Sequence, residues 1–270
     1  ASDNGTEPLP AIDIRARIRD LRWGEERRLR DATMTVKYDD HLIQAMTVDG
    51  RLGSDGALGI RYLPGPDGQV LRVSADDFGA ILGMSPSRSR VQGGALVVRG
   101  LRKNPAAPLE GSFYASNFTL SQAPILARVL QVASLAGIVD ALSKKGLVFE
   151  AFEGKYAYQD GRITFGKASA YGSSIGVSGN GVIDLVKDTA DASGTVVPAY
   201  SLNRVLGKIP VIGSLLTGGE NEGIFAATYK VEGPIEDPKI QVNPLSALAP
   251  GFLRNLFGLG ATKEPTLPKP

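Results

Sequence analysis

LGIRYLPGPDGQVLRV, residues 58–73, sets the class of the fold. Leu58, Ile60 and Tyr62 alternate with Gly59 and Arg61, the period-two pattern of a strand with one dry and one wet face. Pro64-Gly65-Pro66-Asp67-Gly68 then supplies the kinked and left-handed positions of a tight connection, and a second strand follows around Val70 to Val73. Such a segment reads as an antiparallel hairpin.

The same pattern extends in both directions. Upstream, Ile12, Ile14, Ala16 and Ile18 alternate with Asp13, Arg15, Arg17 and Arg19, and similar alternation recurs at Ala32, Met34, Val36 and Tyr38, then at Leu42, Gln44, Met46 and Val48. Asp39-Asp40, Asp49-Gly50 and Ser54-Asp55-Gly56 separate them as turns. Downstream come Phe113 and Ala115, then Tyr156 and Tyr158, a Gln159-Asp160-Gly161 turn, and Ile163 and Phe165. Strands are expected to continue through Ile175 and Val177, Val182 to Leu185, Ala192 to Val197, Gly223 to Val231 and Lys239 to Val242. One further strand is expected over Val91 to Val98, with Gly93 and Gly94 marking a bulge or a close approach to the backbone.

Composition agrees with this class. At 270 residues and 43% hydrophobic, the chain is able to bury a sizeable core, and 33 glycines with 17 prolines favour short strands and tight turns. The formal net charge of +2, with both signs interspersed, gives no field for nucleic acid. A local basic run, Arg15, Arg17, Arg19, Arg22, Arg27, Arg28 and Arg30, reads as the wet side of strands, with anionic lipid head groups as the competing reading. The absence of cysteine excludes disulfides and thiolate metal sites.

Three apolar segments interrupt the strands. Ala123 to Lys145 reads as one long helix, with Pro124 in its first turn, Lys144 and Lys145 in its last, and Gly146 beyond it. Arg128 and Asp140 argue against a bilayer span, each costing about 2.5–3.5 kcal/mol at the membrane centre. The helix is therefore expected to plug a curved sheet or to line a groove. Leu202 to Leu216, broken by Gly207, Pro210 and Gly213, reads as two short helical turns, and Leu245 to Phe257 as an apolar terminal helix that folds back or contacts a membrane or partner. A shorter helix is expected after Ser74 as its cap, with Asp76 and Asp77 in the first turn and Gly83 at its end.

Catalytic chemistry finds little support in the residues. His41, the single histidine, sits beside Asp39 and Asp40 without a nucleophile at sensible spacing, and the Asp76-Asp77 pair is explained by helix capping. Phosphate-loop, zincin, nucleophile-elbow and EF-hand spacings are missing. We expect no enzyme, no cofactor and no bound metal.

The stretch GTVVPAYSLNRVLGKIPVIGSLLTGG, followed by GIFAATYKVEGPIEDPKIQVNPLSALAPGFLRNLF, lies within Leu109 to Leu256 and its continuation to Phe257. Together with SADDFGAILG (Ser74 to Gly83) and the Gly93-Gly94 pair, it resembles the C-terminal region of bacterial AsmA-like envelope proteins over residues 74–257, most specifically from Val196 to Phe257. That resemblance implies a mostly β, groove-shaped body facing the periplasm, anchored to the inner membrane outside this chain. It further implies phospholipid as cargo, moved toward the outer membrane, whose integrity it supports.

The expected architecture is thus mainly β with inserted helices: a curved antiparallel sheet, groove or half-barrel, covered by a long apolar helix. Residues 1–8 form a tail, 9–108 an antiparallel β region with a short helix, 109–258 the AsmA-like β region with helix 123–145 and the terminal helix, and 259–270 a Pro/Lys-rich tail; Asn104 to Pro108 is the candidate linker. From alternation alone, the candidate lipid-contacting residues are Ile14, Ile18, Val36, Ile60, Phe113, Tyr156, Phe165 and Val177, with Leu130 and Leu135 from the helix. A core role is the competing reading for each. The competing function is a structural or interaction domain with a closed core, whose terminal helix docks an envelope partner or an oligomer. Lys or Asp on the supposed groove face would favour solvent over acyl chains there.

Overall fold

The computed structural model describes residues 11–23, 27–39, 42–53, 55–82, 90–133, 135–198 and 226–245. Among these residues, fourteen strands form one antiparallel sheet that does not close. In chain order these are β1 (Ile12–Trp23), β2 (Arg27–Asp39), β3 (Leu42–Leu52), β4 (Gly56–Gly65), β5 (Gly68–Ala75), β6 (Arg90–Gln92), β7 (Ala95–Arg102), β8 (Leu109–Ser121), β9 (Leu147–Gln159), β10 (Arg162–Gly172), β11 (Ile175–Asp184), β12 (Thr189–Pro198), β13 (Ala226–Pro234) and β14 (Lys239–Leu245). Each pairs with its neighbour in sequence except the short β6, which pairs with β8 at the side of the path. Ile175 and Val177 therefore share one strand with Val182.

Gly93 and Gly94 explain why the single strand expected over Val91 to Val98 is two. Both adopt left-handed backbone, with φ of 65° and 86°, and a side chain at Gly94 would strike the Ser116 carbonyl and Phe118. The chain turns there, leaving β6 against the far end of β8 while β7 enters the sheet between β5 and β8. Residues 104–108 form the β7–β8 hairpin loop, and the sheet runs on across it.

Among the described connections at one margin of the sheet are tight hairpins. At β9–β10, Asp160 (φ 50°) and Gly161 (φ 76°) make the two-residue turn expected from Gln159-Asp160-Gly161. Asp184 organises the β11–β12 turn: its carboxylate accepts from the Val186 and Lys187 amides (3.1 and 2.9 Å) and from Arg162 Nε (3.0 Å). The Lys187 amide is the main cause that holds its pKa below the usual carboxylate value.

Helices occupy connections at the opposite margin. α1 (Phe78–Leu82) joins β5 to β7 by way of β6, and its cap is Asp77, whose Oδ1 accepts from the Ala80 amide at 2.9 Å. Ser74 instead belongs to β5, and Asp76 Oδ2 accepts from the Ala57 amide at 3.2 Å. Phe78 meets Phe118 edge-on, with centroids 5.2 Å apart, and Phe118 stacks on Phe149 at 5.3 Å.

The long helix expected over 123–145 is two short ones, α2 (Pro124–Val132) and α3 (Ala136–Lys144). Topology requires the break. β8 and β9 are neighbours with Leu120 opposite Leu147, so the connection starts and ends about 5 Å apart, whereas a straight 23-residue rod would carry the chain about 34 Å away. The Leu135 amide bonds back to the Leu130 carbonyl at 2.9 Å, and the Leu135 carbonyl then receives the Ile138 and Val139 amides to open α3. Folding the pair back buries both Leu130 and Leu142. The ends match expectation: Pro124 starts α2, and Gly146, at φ 78°, follows Lys145.

α2 also reaches β14, and Arg128 Nη1 lies 3.2 Å from Asp237 Oδ1 in the β13–β14 turn. A flat sheet would separate β8 from β14 by about 29 Å, more than twice the roughly 13 Å length of α2. The C-terminal strands consequently curl around the helix. At the helix-side ends of β3 to β5 the cover is α1, where Ala80 approaches Gly53 and Phe78 joins Leu52, Leu58 and Ala75 in the core. Leu202 to Leu216, and Leu245 to Phe257 beyond the end of β14, were expected to be helical and lie outside the described residues, as do Asp40 and His41.

Candidate functional site: an apolar trough

Register turns the alternation of single strands into rows that cross the whole sheet. Ile14 lies opposite Val36, Val36 opposite Met46, Met46 opposite Tyr62, and Tyr62 opposite Leu71. The row continues through Gly100, Gly111, Tyr156, Phe165, Gly181, Ala192 and Val231 to Ile240. A second row on the same face runs from Met34 through Val48, Ile60, Val73, Val98 and Phe113 to Tyr229 and Val242. Closer to the helices, a third includes Leu58, Ala75, Leu96, Ala115, Phe152, Ala170, Val177 and Val196. None of the three carries a charged residue. Thirteen strands lie along this path, so at about 4.8 Å each the first row is roughly 58 Å long.

Register shifts keep the apolar face continuous, among them one between Phe165 and Ala168 of β10 that leaves both on it. Asp31, at φ 46°, is an extra residue of β2 relative to β3, which places Leu29 and Ala32 on the same side as Gly50 and Leu52. Near the helices, the β9–β10 register skips Glu150, and its β8 partner Asn117 is left-handed at φ 55°. Glu150 and Asn117 stay exposed, while Phe149 and Phe118 rejoin the core.

Between the apolar rows lie polar ones that belong to the opposite face. Arg15, Thr35, Thr47, Arg61, Arg72, Arg99, Ser112 and Lys155 form one of them. A concavity of about 880 Å³ spans β10 to β14, lined by Asn180, Ser193, Thr228 and Gln241 together with Phe165 and Tyr229.

All eight candidate strand residues, Ile14, Ile18, Val36, Ile60, Phe113, Tyr156, Phe165 and Val177, share the apolar face, and two pairs of them, Ile14 with Val36 and Tyr156 with Phe165, are direct cross-strand partners. Ile14 is 45% exposed and the other seven are partly buried, with Ile18, Ile60 and Val177 packed against the core. Leu130 differs: at 0% exposure it is a core residue under α2, and Leu135 packs against the core at the helix break.

Aromatic rings pave the trough over its glycines. A side chain at Gly100 would meet the Tyr156 hydroxyl at 2.7 Å, and that hydroxyl donates to the Arg99 carbonyl at 3.3 Å. Tyr229 covers Gly194 in the same way and donates to the Ser178 carbonyl at 3.1 Å; burial pushes its phenol up to about 12. Phe113 packs on Phe152 (4.7 Å) and Phe165 (6.0 Å). Such rings leave a smooth floor where bare backbone would otherwise show.

Along the hairpin margin of β2 to β9 the apolar face opens into a cavity of about 770 Å³, within the range of small-ligand pockets. Its floor includes Met46, Tyr62, Leu71 and Leu109, and its rim Arg102 and Lys103. Comparison with known protein families, curated proteins and solved structures finds no match. Among the described residues no group of potential ligands is arranged to hold a metal, and no helix is long and apolar enough to cross a membrane.

Gln69 and Arg102 are part of this site that alternation did not single out. The signal was present in the phase: Gln69 lies two residues before Leu71, and Arg102 two after Gly100, so each takes a position that the period assigns to the apolar face.

Proposed function

We propose that this chain is a non-enzymatic lipid-binding module that holds phospholipid acyl chains along the trough of β1 to β9. The observation that carries this reading is the pair of outer uncharged rows, whose side chains on β2 to β5 stay half-buried while the third row, nearer the helices, is closed into the core. Each methylene moved from water onto that face contributes about 0.8 kcal/mol, so one acyl chain of ordinary length offsets the cost of immobilising the lipid. The resemblance to AsmA-like envelope proteins extends the reading to a periplasmic setting, with an inner-membrane anchor outside this chain and phospholipid moving toward the outer membrane.

The test is direct. Protein purified without detergent is examined by native mass spectrometry, followed by lipid extraction. Co-purified phospholipid near one or more per chain is the expected result. Lipid-free, monodisperse protein that also refuses added phospholipid overturns the proposal and favours an interaction domain with a closed core.

A further inference from the structure

We propose that the hairpin margin of the trough is a head-group site: Arg102 donates to the phosphodiester of a bound glycerophospholipid, and Gln69 accepts from its head-group hydroxyl or ammonium. This inference rests on the acyl-chain reading of the trough. Gln69 and Arg102 are direct cross-strand partners on β5 and β7, and both line the 770 Å³ cavity. Gln69 Nε2 is already used, donating to the Gln44 carbonyl at 3.1 Å. Its Oε1 is shielded from solvent without a donor, and Arg102 Nε is shielded without an acceptor.

Buried polar atoms are nearly always paired, so an unpaired donor and an unpaired acceptor on adjoining residues of one cavity point to a guest able to serve both once the side chains turn toward it. The guest must accept from a guanidinium and donate to an amide oxygen. Among the described lining residues the only charges are Arg102 and its neighbour Lys103, with no carboxylate to neutralise them. An anion is therefore the favoured partner, and the adjoining floor of Met46, Leu71 and Leu109 favours one carrying hydrocarbon. A phosphodiester lipid meets each requirement; free phosphate, which both accepts and donates, lacks only the hydrocarbon.

The experiment titrates the folded chain with dioctanoyl phosphatidylethanolamine, dioctanoylglycerol and inorganic phosphate. Wild type is expected to prefer the phospholipid over the diacylglycerol by about 10-fold or more, the scale of a charge-assisted hydrogen bond. Arg102→Leu should bring that ratio to near one while diacylglycerol affinity holds, and Gln69→Leu should lower it by about threefold. If Arg102→Leu does not fold, Arg102→Lys keeps the charge without Nε and should still lose at least part of the preference. Equal wild-type affinity for both lipids, or a preference that survives the Arg102 substitution, overturns the head-group site and leaves the trough standing. Failure to bind either lipid removes the underlying reading. Arg102-dependent binding of inorganic phosphate without lipid binding assigns the site to the free anion and overturns the lipid assignment.

Discussion

Replacing Val36 with aspartate sets a carboxylate between Ile14 and Met46, near one end of the longest apolar row. A hydrated carboxylate there keeps roughly three or four acyl methylenes from apolar contact, and at about 0.8 kcal/mol each this amounts to about 3 kcal/mol, or roughly a 150-fold loss of affinity. Val36 is only half-buried, so the fold should lose about 2 kcal/mol in partial burial and strand preference, which a domain of ordinary stability survives. The control is Thr35→Asp, one residue away on the opposite face and directly across from Arg15, where the new charge gains a partner. Displacement of a fluorescent phospholipid measures affinity, and denaturant unfolding measures stability. A folded Val36→Asp chain that binds as wild type does, or a Thr35→Asp chain that loses as much, refutes the assignment of faces.

Other substitutions address the supporting structure. Leu130→Ala removes a side chain at 0% exposure and should cost about 2–5 kcal/mol in denaturant unfolding, with lipid affinity of the remaining folded protein unchanged. Asp77→Ala deletes the α1 cap and should cost about 1 kcal/mol by the same measurement. Tyr229 gives a pH signature: its folded-state value is raised, so its stabilisation is complete below the unfolded value of 10 and declines by about 3 kcal/mol as pH rises to about 12. Tyr229→Phe should flatten that part of the alkaline decline while costing about 1 kcal/mol near neutral pH, for the lost bond to Ser178, as read from unfolding curves at each pH.

Much of the sheet was legible because its information is local. Strands such as 58–62 and hairpins such as 159–161 follow from period and turn chemistry, and the same period placed Ile14 through Val177 on one face. The break in helix 123–145 was not legible, since nothing in its own residues records that Leu120 and Leu147 are neighbours. That constraint belongs to the β8–β9 pairing. Leu130, for which a core role was the competing reading, is buried for the same reason: α2 folds back against the C-terminal strands. Gly93-Gly94 was recognised as special, but splitting a strand and bulging it demand similar residues. Asp31 and Glu150 were illegible as bulges because one unpaired residue in a long strand changes which side every later residue faces without leaving a compositional mark.

Since nearly every strand is bonded to its neighbours in the chain, a hairpin can be inserted or deleted between two others without rewiring the rest. Each such unit changes the span of the apolar rows by about 10 Å. Reach in this architecture is therefore a countable quantity, set by the number of hairpins and adjustable in steps, much as rungs set the height of a ladder.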